Sequence, residues 1–149
     1  MNSTNTNPNG DSRPAVIVVT VGTDGAARQE SWTPASDGGL LEQLQGAVGG
    51  LVDVVALGDR LDMWTHDEGL YVCDANPVAT LLAFAFGRNT QPYFGPVVFT
   101  GGADADGTTR SLDSWFAAGL LKAAQAAADD TTRLASVTAR SEQFAAAYR

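Results

Sequence analysis

His66, Asp67 and Glu68 stand side by side in a chain that contains a single histidine. An imidazole next to carboxylates is the raw material of a general base oriented by an acid. Consecutive residues at a strand end point in different directions, so adjacency alone does not bring three groups to one reacting atom. Asp53 and Asp62 form a second candidate. If residues 51–57 and 60–66 fold back about a Gly58-Asp59 turn, their carboxylates lie near one another and can bind a cation or act as acid and base. Like charges that close destabilise a sheet, and the solvated face of a hairpin accounts for both aspartates equally well. Asn76 completes the set of candidate binding residues. None of the six is assigned a catalytic role.

Other chemistries find less support. Cys73 has no basic neighbour to favour its thiolate and reads as a structural thiol. Asp104-Ala105-Asp106-Gly107 has the acidic spacing of a calcium loop but lacks its third oxygen donor, the glycine at the sixth position and the closing glutamate, so a turn is expected. Gly101-Gly102 is followed by neither a dinucleotide nor a P-loop pattern and reads as a strand end. Ser12, Ser111 and Ser114 lie outside any nucleophile-elbow context. One cysteine and one histidine exclude an internal disulfide and most His/Cys metal sites, and no cofactor motif is present.

These residues sit in a chain of 149 with 9 basic and 17 acidic side chains, a net charge of −8. That balance repels phosphate backbones, so direct nucleic-acid binding is not expected. It keeps a small protein soluble, or else offers an acidic face to a basic partner. A hydrophobic fraction of 44% against 17% charged residues is that of a globular domain. No apolar run reaches the roughly 20 residues of a membrane helix. Residues 1–13 are polar, lack the basic start and apolar stretch of a signal peptide, and are expected to form a disordered leader on a cytoplasmic protein.

The positioning elements follow from periodicity. Ala15 to Val21 is a nearly continuous β-branched run, the mark of a strand buried on both faces. Residues 27–32 return as its hairpin partner. Leu40, Leu41, Leu44, Ala47 and Val48 repeat on one helical face that Asp37 can cap, and Gly49-Gly50 ends the helix. Residues 51–57 and 60–66 make a hairpin, with Leu61, Met63 and Thr65 on one face and Asp62, Trp64 and His66 on the other. Leu70 to Cys73 is expected as a short edge strand. Asn76-Pro77 is a strong helix start, opening an apolar helix that runs to Phe86. A strand over residues 95–100 follows. Then a helix capped by Ser111 places Leu112, Trp115, Phe116, Gly119, Leu120 and Ala123 on one face, and Asp129-Asp130-Thr131 caps a final helix. The predicted fold is α+β: a single, mostly antiparallel sheet of about five strands, two or three helices packed on it, and a C-terminal helical tail. Residues 14–127 make one domain, and residues 128–149 a helix that either docks on it or binds a partner.

The ordered series Leu44-Gln45-Gly46-Ala47-Val48-Gly49-Gly50, Val52-Asp53-Val54-Val55, Leu70, Asn76, Ala79 and Gly95 to Gly102 resembles a small domain of unknown function frequent in actinobacteria, their phages and mobile elements. The resemblance covers roughly residues 15–120, with Asp67-Glu68 where that family usually has Asn-Glu. It implies an accessory role in a phage or mobile-element setting and supplies no activity. The function expected is a non-enzymatic binding protein, acting through an acidic surface or small pocket on a protein or small-molecule partner. The alternative is a small enzyme using His66 and nearby carboxylates.

Overall fold

The computed structural model describes residues 14–88 and 90–149; the expected leader, residues 1–13, lies outside the described residues. Five strands, β1 (Val16–Val21), β2 (Ala27–Trp32), β3 (Val52–Gly58), β4 (Leu61–His66) and β5 (Val97–Thr100), form one sheet in the order β2-β1-β5-β4-β3, and every neighbouring pair is antiparallel. Five helices accompany them among the described residues: α1 (Leu41–Val48), α2 (Gly69–Val72), α3 (Pro77–Ala85), α4 (Ser114–Asp129) and α5 (Thr131–Tyr148). The α+β architecture expected from periodicity is the one observed. No helix among the described residues is long and apolar enough to cross a membrane.

The sheet is covered on both faces, which explains the unbroken apolar runs of β1 and β5. Side chains alternate across a strand. Thus Val19, Phe99 and Met63, directly opposite one another on β1, β5 and β4, point to the layer of α3 and α4, and all are fully buried. Val16, Val18 and Val98 point the other way and pack with Leu44 and Val48 of α1. Along β4, Leu61, Met63 and Thr65 are buried while Asp62, Trp64 and His66 are half-buried, as the alternation requires. β2 is an edge strand whose middle residues, Arg28 to Ser31, are exposed and polar; such a surface discourages pairing with another chain.

Asn76 ties the layers together. Its side chain is 0% exposed, accepts from the Ala79 amide at 3.1 Å, and donates to the carbonyls of Val21 at 3.0 Å and Gly95 at 2.9 Å. One residue thus caps α3 and holds the end of β1 beside the entry to β5. Thr80 extends the network, donating to the Asn76 carbonyl and accepting from the Tyr93 amide.

Four local expectations are corrected. Residues 70–73 are not an edge strand: Gly69–Val72 form a single helical turn, closed by the Cys73 amide on the Gly69 carbonyl at 2.9 Å. Four apolar residues are too few for periodicity to separate strand from helix, and Tyr71 and Val72 are exposed. α1 takes no cap from Asp37, whose carboxylate instead accepts from the Gly39 amide in the preceding loop. The hairpin turn is Asp59-Arg60 and not Gly58-Asp59, since Gly58 pairs with Leu61 and the register shifts between Ala56 and Gly58. Finally, α4 begins at Ser114, not at Ser111. The Ser111 hydroxyl accepts from the Ile17 amide at 2.8 Å and donates to the Leu112 carbonyl, while the Leu112 amide bonds the Ile17 carbonyl at 3.0 Å, so this segment is held against β1.

Other expectations match. Asp104 accepts from the amides of Asp106 and Thr108 in a turn, and Asp130 caps α5 by accepting from the Arg133 amide. α5 packs on α3 and α4, burying Val137, Ser141 and Ala145. At its end the Arg149 guanidinium donates to the carbonyls of Leu70 and Cys73, satisfying groups left open by the short α2 turn.

Candidate functional site

The expected site residues are divided among three places. Asp53, His66 and Asp67 border one shallow depression of about 180 Å³ between the β4–α2 turn and α5. Glu68 is beside it on the turn. His66 Nδ1 accepts from the Glu68 amide at 3.0 Å, and its side chain is only 12% exposed. The other edge of the ring lies against Gly50, where an added Cβ would meet Nε2 in hard contact and Cδ2 and Cε1 at 3.0 Å. The imidazole is therefore a packed turn element that needs a glycine beneath it. Gly49 ends α1 at φ 85°, whereas Gly50 makes room for the ring. Gly50→Ala is expected to cost about 1–3 kcal/mol by overpacking, and His66→Ala placed on top of it to restore most of the loss in urea unfolding. A double variant no more stable than the sum of the single effects would show that the contact is not the cause.

Asp62 is not brought to Asp53. Asp53 pairs with Thr65 and Asp62 with Ala56, so the two carboxylates project from opposite faces of the hairpin. The bulge at Leu57 moves the register by one residue and undoes the proximity expected from a Gly58-Asp59 turn. Burial pushes the Asp62 carboxyl up from its usual range. An acid raised on folding holds its proton more tightly in the native state, so its contribution to stability is complete at low pH and is lost as pH rises through the folded value. Asn76 is fully committed to the hydrogen bonds described above and is closed to solvent. Burial first, and then the Asp74 carboxylate, push the Cys73 thiol up, away from a reactive thiolate.

A different groove has the makings of a binding site. It lies at the end of the sheet where the β3–β4 turn meets the segment before α4, with a volume of about 570 Å³. One wall is aromatic. Phe116 touches Trp115 edge to face at 5.7 Å between centroids and 89°, and Phe86 at 6.2 Å and 44°. Trp115 is 74% exposed. Arg60, on the turn, and Arg110, just before Ser111, line the same groove. Among the described residues no carboxylate pairs with either guanidinium. The groove also exceeds the depression of about 320 Å³ between α3 and α5, where Arg140 already covers the Phe84 ring at 5.9 Å.

Backbone contacts hold this groove in shape. Gly101 and Gly102 leave β5 without side chains, so the turn approaches closely: a Cβ on Gly102 would sit 2.5 Å from the Asp59 carbonyl oxygen, and one on Gly101 2.8 Å from that of Arg110. The Gly101 amide donates to the Arg110 carbonyl at 2.9 Å and the Arg110 amide to the Gly102 carbonyl at 3.1 Å. The sequence pattern puts Trp115 on one helical face with Leu112, Phe116, Gly119, Leu120 and Ala123. The buried stripe of α4 is Ala117, Leu120 and Ala124 instead, and Trp115, two residues before Ala117 and so about 200° from it around the helix, turns outward. Arg60, Phe86 and Arg110 belong to no local pattern.

Among the described residues no group of three or more His, Cys, Asp and Glu side chains is placed to hold a metal ion. No curated protein and no solved structure matches the chain. The model of one family does match, over residues 14–125, a span that takes in the whole groove and stops within α4, before α5. The chain therefore belongs to DUF3846, a family defined as a domain of unknown function.

Proposed function

We propose that this protein is a non-enzymatic binding domain that takes a partner through the groove between the Asp59-Arg60 turn and the start of α4. The observation that carries this reading is the meeting of two arginines with a touching trio of aromatics, one of them a largely exposed tryptophan, in a chain of net charge −8. Pockets that hold small organic ligands run from about 300 to 1,000 Å³ and combine apolar walls with a few polar groups, and this groove has both properties. Trp and Arg are also the residue types that dominate binding energy at protein surfaces.

Binding is favoured over catalysis by what the lining offers. The one hydroxyl of the lining among the described residues, Ser111, already donates to the Leu112 carbonyl, and the chain's single imidazole lies elsewhere, packed on Gly50. The reading departs from the expected acidic surface in one respect, because here the partner meets arginines. The accessory setting in a phage or mobile element rests on the residue resemblance described above.

Indole, a neutral probe at millimolar concentration, tests the groove. It is expected to shift the amide resonances of residues 58–61, 101 and 110–116, and to shift them several-fold less in Trp115→Ala. Shifts scattered over the whole domain, or none in these segments, would overturn the assignment.

A further inference from the structure

Resting on that reading, we infer that the groove's ligand is a small planar aromatic anion, its ring laid on Trp115 and Phe116 and its acid group held by Arg60 and Arg110. Three amides of the lining are already used, Gly101 on Arg110, Arg110 on Gly102, and Leu112 on Ile17, while the first turn of α4 takes no side-chain cap from Asp113 and leaves amides open beside the indole. The full positive charges on offer are the two guanidinium groups, which are planar, permanently charged and matched to the paired oxygens of a carboxylate or phosphate. They outnumber Asp113, the one carboxylate in the lining among the described residues, so these side chains make the groove net positive within a strongly acidic chain. An anion reaching this protein is repelled by most of its surface and attracted here.

The aromatic wall sets the rest of the ligand. Phe86 and Phe116 are partly covered, but Trp115 presents most of its indole to solvent. An exposed indole supported edge-on by a second ring is a stacking shelf, and flat π-systems gain most from it by offset stacking. A groove of about 570 Å³ holds one or two fused rings with their acid group and is short for an extended peptide.

Carboxylate and phosphate share this chemistry, and five probes distinguish them and test the class: 2-naphthoate, 2-naphthyl phosphate, neutral 2-naphthalenemethanol, and acetate and inorganic phosphate as ringless anions. By amide-resonance titration of the full chain, at least one naphthyl anion is expected to bind the groove about tenfold or more tighter than naphthalenemethanol, with no groove shifts from acetate or inorganic phosphate. The tighter of the two naphthyl anions identifies the acid group. Arg60→Gln and Arg110→Gln, both exposed substitutions, should each weaken the anion about tenfold while leaving naphthalenemethanol unchanged; Trp115→Ala should weaken all three naphthyl probes. Equal binding of the neutral and charged naphthalenes, or full anion affinity in both arginine variants, overturns the inference. If indole still reports the groove in that case, the binding-domain reading stands and only the ligand class is wrong. If neither indole nor any naphthyl probe perturbs the groove, both fall.

Discussion

Asn76→Ala is expected to lower the unfolding free energy by about 3–5 kcal/mol, read as a fall in the urea midpoint at unchanged slope. The variant removes a helix cap, usually worth about 1 kcal/mol. It also leaves the Val21 and Gly95 carbonyls facing a cavity with no donor, in a place with no exposure to water. Each buried group stripped of its partner costs about 1–3 kcal/mol. Small domains are stable by only about 5–15 kcal/mol, so this single change uses up a large share of the margin. Asn76→Asp separates the two roles. The aspartate keeps the acceptor that caps α3 at Ala79 but sets an anion or an acid against two carbonyl oxygens, so it is expected to recover none of the loss at neutral pH. Recovery of most of the stability in Asn76→Asp would mean that Asn76 acts as a cap alone and that the ties to Val21 and Gly95 contribute little.

The contrast between the two meanings of Asn76 shows what is legible in this chain and what is not. Asn followed by Pro is a local signal with a local cause, and it correctly marks the start of α3. That the same amide also joins β1 to β5 depends on contacts 55 and 19 residues away, which no local pattern encodes. The sheet was readable for the same reason that the cap was. Runs buried on both faces, as in β1 and β5, and strict alternation, as in β4, follow from the two-residue period of a strand. Misreadings occurred where one residue of register decides the answer. A bulge at Leu57 separates Asp53 from Asp62, and a buried face that runs through Ala117, Leu120 and Ala124 leaves Trp115 on the outside of α4. The groove was least visible of all. Arg60, Phe86, Arg110 and Trp115 arrive from a turn, a helix end, a loop and a helix start, brought together by the packing of Gly101-Gly102 against the turn and by the contact of α3 with α4.

That packing yields the second large effect. Gly102→Ala is expected to destabilise the domain by about 2–4 kcal/mol, because the new methyl would lie 2.5 Å from the Asp59 carbonyl oxygen and 3.2 Å from its carbon. The obstacle is backbone, so no side-chain rotation relieves it and the Asp59-Arg60 turn has to move. Gly46→Ala is the control of opposite sign. It lies within α1 with no atom within 4 Å of the added methyl, and alanine in place of a helical glycine stabilises by up to about 1 kcal/mol. Loss of less than about 0.5 kcal/mol in Gly102→Ala, the range of an ordinary surface change, would show that turn and strand end are not in close contact. The groove responds to the same variant. Moving the turn carries Arg60 away from Arg110, so at temperatures where Gly102→Ala remains folded its affinity for a naphthyl anion should fall while indole, which needs only the aromatic wall, still binds. On the proposed reading, stability and anion recognition are coupled through this pair of glycines, because the turn that closes on Gly102 also carries Arg60.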